Sequence, residues 1–124
     1  IVSQYMKPTD YLKSVGVDIF TKGHNSYKLS APGMMDLTVE SWQSGGSTMV
    51  SMCHYGEMNG DLMKDPDVLF GVRGDDSLVY REFQNDYANY YSESHEETKD
   101  FMENTWLPNL KAQGHKLVEK DLEN

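Results

Sequence analysis

The chain has a single cysteine, Cys53, so no internal disulfide can form. Small secreted domains usually carry several cysteines, and a reducing cytoplasm is the expected setting. Apolar runs are short, and none approaches the roughly 20 residues that a membrane span requires. No early stretch joins a basic segment to an apolar one, so no secretory signal is expected. Positive charge is scarce as well. Eleven lysines and arginines stand against 20 aspartates and glutamates, for a net charge of −9 and a pI near 4.7. Nucleic acid presents a dense row of phosphates and is normally met by a basic patch. Direct nucleic-acid binding is therefore not expected. An acidic exterior suits a protein partner with a basic surface, besides favouring solubility.

What is present suits one globular domain over residues 1–124, with 38% apolar and 25% charged residues. Thr9 can cap a short helix from Asp10 to about Val15, ended by Gly16. Ile19-Phe20 and Tyr27-Lys28-Leu29 read as short strands around a polar turn. Met35, Leu37 and Val39 alternate with Asp36, Thr38 and Glu40, the period of a half-buried strand, with Trp42 on the polar parity. After the turn Ser44-Gly45-Gly46-Ser47, Thr48 to Tyr55 reads as a central strand. Glu57 to Asp67 reads as a polar loop, Val68 to Val72 and Leu78 to Phe83 as strands, and Tyr87 to Tyr91 as an irregular aromatic stretch. Glu96 to about Ala112 reads as the main helix, interrupted by Pro108 and ended by Gly114. Residues 1–7 and 116–124 are expected to fray. The expected class is α+β: an antiparallel sheet of about five strands, with a short N-terminal helix and a longer C-terminal helix packed on it.

Two segments are candidate interaction surfaces. The first runs from His54 and Tyr55 through Glu57, Asn59 and Asp61 to Asp65 and Asp67. Its acids raise the question of a calcium loop, but the spacing does not fit an EF-hand. Asn59-Gly60 and Asp65-Pro66 are ordinary turn dipeptides. His54, Asp61 and Asp65 are the residues a metal-dependent hydrolase would use. No nucleophile and no phosphate cradle accompanies them, and a packed His54 is the simpler reading. Cys53 lies in an apolar run and reads as a buried structural thiol. The second segment is Arg81, Phe83, Asn85, Asp86 and Tyr87, continued by Tyr90 and Tyr91. Its mix of charge, amide and aromatic groups is usual in recognition surfaces. From Asp75 to Glu103 acids greatly outnumber bases, and with the tyrosines they could imitate the charge spacing of nucleic acid. No catalytic residue, metal ligand or cofactor is assigned.

These residues also form a pattern. His54-Tyr55, Asn59-Gly60-Asp61-Leu62-Met63, Asp65-Pro66, Phe83, Asn85-Asp86, Trp106, Asn109-Leu110 and Gln113-Gly114 follow one another in an order that resembles a bacterial domain of unknown function. That family is found often on plasmids, conjugative elements and phages. The resemblance spans roughly residues 48 to 115. Gly56 and Met58 stand where the family pattern has a tyrosine and a glutamine, so no role is carried onto those positions. The family has no established activity. The resemblance implies a setting, the accessory genes of mobile elements, and no catalytic residues. The expected function is a non-enzymatic binding protein acting through protein contacts. A narrower version is an anti-defence inhibitor, of CRISPR–Cas or restriction enzymes, with a nucleic-acid-mimicking face. The alternatives are the metal-dependent hydrolase and an accessory role in plasmid replication or transfer.

Overall fold

A computed structural model describes residues 5–20 and 23–122. Helix α1 (Pro8–Ser14) opens on Pro8, with Lys7 rather than Thr9 at the N-cap. Proline suits this place because its missing N–H would be unsatisfied there anyway. A run of strands follows: β1 (Asn25–Ser30), β2 (Leu37–Ser44), β3 (Ser47–Met58), β4 (Asp61–Val72), β5 (Leu78–Asn85) and β6 (Tyr90–Ser92). Helices α2 (His95–Phe101) and α3 (Leu107–Gln113) come next, joined by a π-helical turn over Met102–Trp106. Pro108 supplies a reason for the wide turn, because its ring crowds the carbonyl four residues earlier. Gly114 ends α3 in the left-handed region at φ 77°. Strand β7 (Lys116–Leu122) closes the order.

The sheet among the described residues has seven strands, not five, in the order β6-β5-β4-β3-β2-β1-β7, and every pair is antiparallel. Three expectations fail here. Residues 116–122 are not frayed: they pair with β1, Asn25 opposite Leu122. Residues 1–4 and 123–124 lie outside the described residues. The segment 57–67 is no loop. Asn59 and Gly60 both take positive φ, 53° and 85°, and fold Met58 onto Asp61 in a two-residue hairpin turn. Both faces of that hairpin end reach water, and even Met58 and Leu62 are exposed there. Ile19-Phe20 forms a turn instead of a strand. Ile19 is still buried, and Tyr27 donates to the Asp18 carbonyl at 2.6 Å.

Register sorts the side chains by parity. Tyr27 and Leu29, Leu37 and Val39, Val50 and Met52, Val68 and Phe70, and Tyr80 occupy one face, each no more than 5% exposed. Tyr11 and Leu12 of α1, Met102 and Trp106 of the π turn, and Leu107 and Leu110 of α3 pack on that same face as one core. Among the described residues no helix packs on the opposite face. A mixed sheet-and-helix architecture of this kind, antiparallel with helices on one side, agrees with the α+β expectation, though strands dominate it.

Leu37 is fully buried at the middle of this core. Leu37→Ala is expected to cost about 2–5 kcal/mol, read as a lower denaturation midpoint at unchanged slope. Nothing lies within 4 Å of a Cβ built on Gly114, so Gly114→Ala meets only the backbone penalty. We expect a loss of roughly 1–2 kcal/mol, and a neutral variant would refute the left-handed cap.

Candidate functional site

The uncovered face is built by the other parity. Thr38, Glu40 and Trp42 of β2 lie beside Cys53, Ser51 and Met49 of β3, which in turn lie beside Asp67, Leu69 and Gly71 of β4. Gln84 and Glu82 of β5 complete the row beyond Asp67 and Leu69. A bulge between Cys53 and Tyr55 inserts an extra residue, which sets Lys64 opposite Tyr55. Bulges bend and twist a strand, and the face is concave. A hollow of about 660 Å³ opens there, walled by Trp42, Tyr55 and Leu69, with Glu40, Asp67, Glu82, Lys64 and His24 among its polar groups.

Its electrostatics are uneven. The Asp67 side chain is only 18% exposed; one oxygen pairs with Lys64 Nζ at 3.3 Å, while Oδ1 is sealed from solvent without a hydrogen-bond partner. Burial pushes the Asp67 carboxyl above the usual range; Lys64 opposes this, and Glu82 and Glu40 add to it. His24 Nε2 lies 2.9 Å from Glu40. Glu82 accepts a short hydrogen bond from the Tyr91 hydroxyl, and that hydroxyl is raised by Glu82 and then Glu93. Cys53 lies beneath this layer, 1% exposed. Burial and then Asp67 lift its thiol to about 12, so it is not a thiolate nucleophile at neutral pH.

The expected site residues separate into groups. Tyr55 and Asp67 line the hollow. His54 has the opposite parity and is buried on the helix side. Its Nδ1 donates to the Asp36 carbonyl at 2.9 Å, and its ring meets Trp106 and His115. Glu57, Asn59 and Asp61 form the exposed hairpin end. Asp65 accepts from Asn85 at 2.9 Å. Asp86 accepts the Lys64 N–H at 2.7 Å, and this bond holds its carboxyl below the usual range. Asn85 and Asp86 are thus clasps between β5 and β4. Phe83 packs edge-on against Tyr90 and Phe101. Arg81 lies over Gly71, where an added Cβ would meet its Nε at 3.0 Å. Tyr87 covers Gly56 and donates to the Glu57 carbonyl at 3.3 Å. Tyr90 donates to Glu97 at 3.2 Å. His54, Asp61 and Asp65 are not brought together, and no group of three or more metal-ligating side chains forms among the described residues.

His24, Glu40, Trp42, Ser51, Lys64, Leu69, Glu82 and Gln84 line the hollow without having been expected site residues. The signal was available in the two tight turns, Gly45-Gly46 and Asn59-Gly60, which fix strand register. Counting outward from them places Glu40, Ser51 and Leu69 in one row across three strands.

Asp67 generates a pH-dependent expectation. Its folded pKa is raised, so the folded state holds the proton more tightly than the unfolded chain. The resulting stability is fully present below the ordinary aspartate range and lost as pH rises through the folded value. Ionised Asp67 is then a liability at pH 7, only partly relieved by the half-exposed Lys64. Asp67→Asn is expected to raise the melting temperature at pH 7, with the gain shrinking on acidification. A variant less stable at neutral pH would show that the Lys64 pair outweighs the burial.

No helix among the described residues is long and apolar enough to cross a membrane. No curated protein and no solved structure matches the chain. Residues 13–116 match a family described as Domain of unknown function (DUF6908), and because that span is most of the chain, the protein belongs to this family.

Proposed function

We propose that the protein is a non-enzymatic binding module of a mobile genetic element, and that it acts by docking a basic protein partner on the uncovered sheet face. The observation that carries this reading is the half-sunk Asp67 carboxylate with its unpaired Oδ1, flanked by Glu40 and Glu82 and walled by Trp42 and Tyr55. A guanidinium or ammonium group entering the hollow would offset the charge of these three carboxylates. It would also meet carboxylates and aromatic rings together, which favours cations. Exposed acids elsewhere support the same class of partner: among the described carboxylates only Glu103 is buried.

The mobile-element setting rests on the resemblance noted above. The narrower anti-defence reading, inhibition of a nucleic-acid-handling enzyme, draws on the β6 edge. There Tyr87, Tyr90 and Tyr91 are 40–51% exposed, and Tyr90 and Tyr91 each donate a hydrogen bond to a carboxylate. Negative charge interleaved with rings suits a basic channel that ordinarily holds nucleic acid.

The test is capture from a lysate of the host bacterium by the tagged protein and by the Asp67→Asn/Glu82→Gln double variant. The wild type should retain a basic protein, weakly at about 300 mM salt and strongly at about 50 mM. The variant should lose at least about tenfold of that capture. Recovery of nothing above background, or equal recovery by the variant, would reject the sheet face as the docking surface.

A further inference from the structure

Two further hollows adjoin around α1 and the β4–β5 turn, and their charges are opposite. The larger, about 640 Å³, is lined by Asp10, Asp18, Asp75 and Asp76 against a single lysine, Lys13. The smaller, about 350 Å³, is lined by Lys7, Arg73 and Lys99. Its one carboxylate, Glu103, is 3% exposed and is held by the hydroxyls of Tyr5 and Tyr80. Thr9 and Ser77 line both hollows and form the ridge between them. The four aspartates and the three cations are all exposed. Arg73 stands at the ridge beside Asp75, so Lys7 and Lys99 carry most of the basic side. An exposed ring marks each side as well. Phe20, 50% exposed, belongs to the acidic hollow, and Tyr5, 47% exposed, to the basic one. Buried Leu12, Val17 and Ile19 floor the acidic hollow.

We propose that this two-signed face is the interface of a symmetric dimer, in which a second copy of the chain lays its basic hollow against the acidic hollow of the first. Charge complementarity selects the occupant. A wholly basic partner would suit the four aspartates and be repelled by Lys7, Arg73 and Lys99; a wholly acidic one would meet the reverse. The fitting partner carries both signs side by side in the opposite order. A copy turned about a two-fold axis through the Thr9–Ser77 ridge presents that order, and each contact is then made twice. Exposed ion pairs are weak singly, so the charges set orientation while the rings supply affinity. Tyr5 is already held by its bond to Glu103, and the Phe20 N–H donates to Asp18 at 2.9 Å. Both therefore lose little freedom on docking. The net charge of −9 on each copy opposes association at long range, but salt screens that repulsion beyond about 8 Å at physiological strength. Apposed side chains lie closer than that.

The experiment is sedimentation velocity of the full chain at about 150 mM salt, from about 5 to about 500 μM protein. The wild type should pass from monomer to dimer across that range. Phe20→Ala should weaken the dimer by about tenfold or more. Two charge-reversed chains give the sharper reading, Asp10→Lys/Asp76→Lys and Lys7→Glu/Lys99→Glu. Each alone should be monomeric, because like charges then meet twice across the axis. An equimolar mixture should dimerise again, because one contact has its signs exchanged on both sides and the other is native on both sides. An unfolded chain could not give that recovery. Phe20→Ala leaves the turn at Asp76, where φ is 66°, untouched, so it reads the interface even where lysine strains that turn. A wild type that stays monomeric throughout, full affinity in Phe20→Ala, a reversed chain that dimerises alone, or a mixture that does not recover would overturn the proposal. None of these residues lines the sheet-face hollow, so the dimer and the docking of a basic partner stand or fall separately.

Discussion

Register across the four consecutive hairpin pairings from β1 to β5 is the constraint on which the rest of this molecule depends. A strand has a period of two, so a slip of one residue would send Leu37, Val39, Val50 and Met52 to water and bring Thr38, Glu40, Ser51 and Cys53 under the helices. Two turns resist that slip. Gly45-Gly46 and Asn59-Gly60 adopt positive φ at both central positions, the geometry whose twist matches the strands on either side. The core follows from this, because α1, the π turn and α3 find an apolar face only when the parity is right. The concave face follows too, since the same alternation that hides the aliphatic residues delivers Glu40, Asp67 and Glu82 to the other side.

At the open face the Asp67 Oδ1 oxygen is withdrawn from water without a hydrogen-bond partner. Such groups weaken a fold. Around Asp67 the neighbours are further acids and aromatic rings.

The elements that could be read from the chain were those whose local pattern and burial agree. Leu37 and Val39 alternate with polar residues because one face of β2 is packed and the other is not. Gly114 announces the end of α3 because only its conformation fits there. The segment from Glu57 to Asp67 misled for the opposite reason: a hairpin end solvated on both sides has no alternation to display, and its polar side chains look like a loop. Strand β7 was missed because its residues are charged and mostly exposed, and its pairing with β1 depends on contacts far away in sequence. The site was half legible. Tyr55 and Asp67 stood within a conspicuous motif, whereas Glu40, Leu69 and Glu82 become neighbours only through pairing between strands. His54 was conspicuous in the motif and faces the wrong side, since parity, not proximity in the chain, decides where it points.

The pairing of β7 with β1 has a consequence for how the chain is born. Asn25 meets Leu122 across almost the whole length of the polypeptide. During synthesis the flank of β1 stays bare until residues 116–122 have cleared the ribosome, while the hairpins from β1 to β5 can already zip. For that interval the nascent protein presents an open strand to any neighbouring chain. Translational pausing or crowding of polysomes at that stage would favour intermolecular pairing, whereas the lysines and acids spaced along β7 would make the cognate strand the one that arrives soluble.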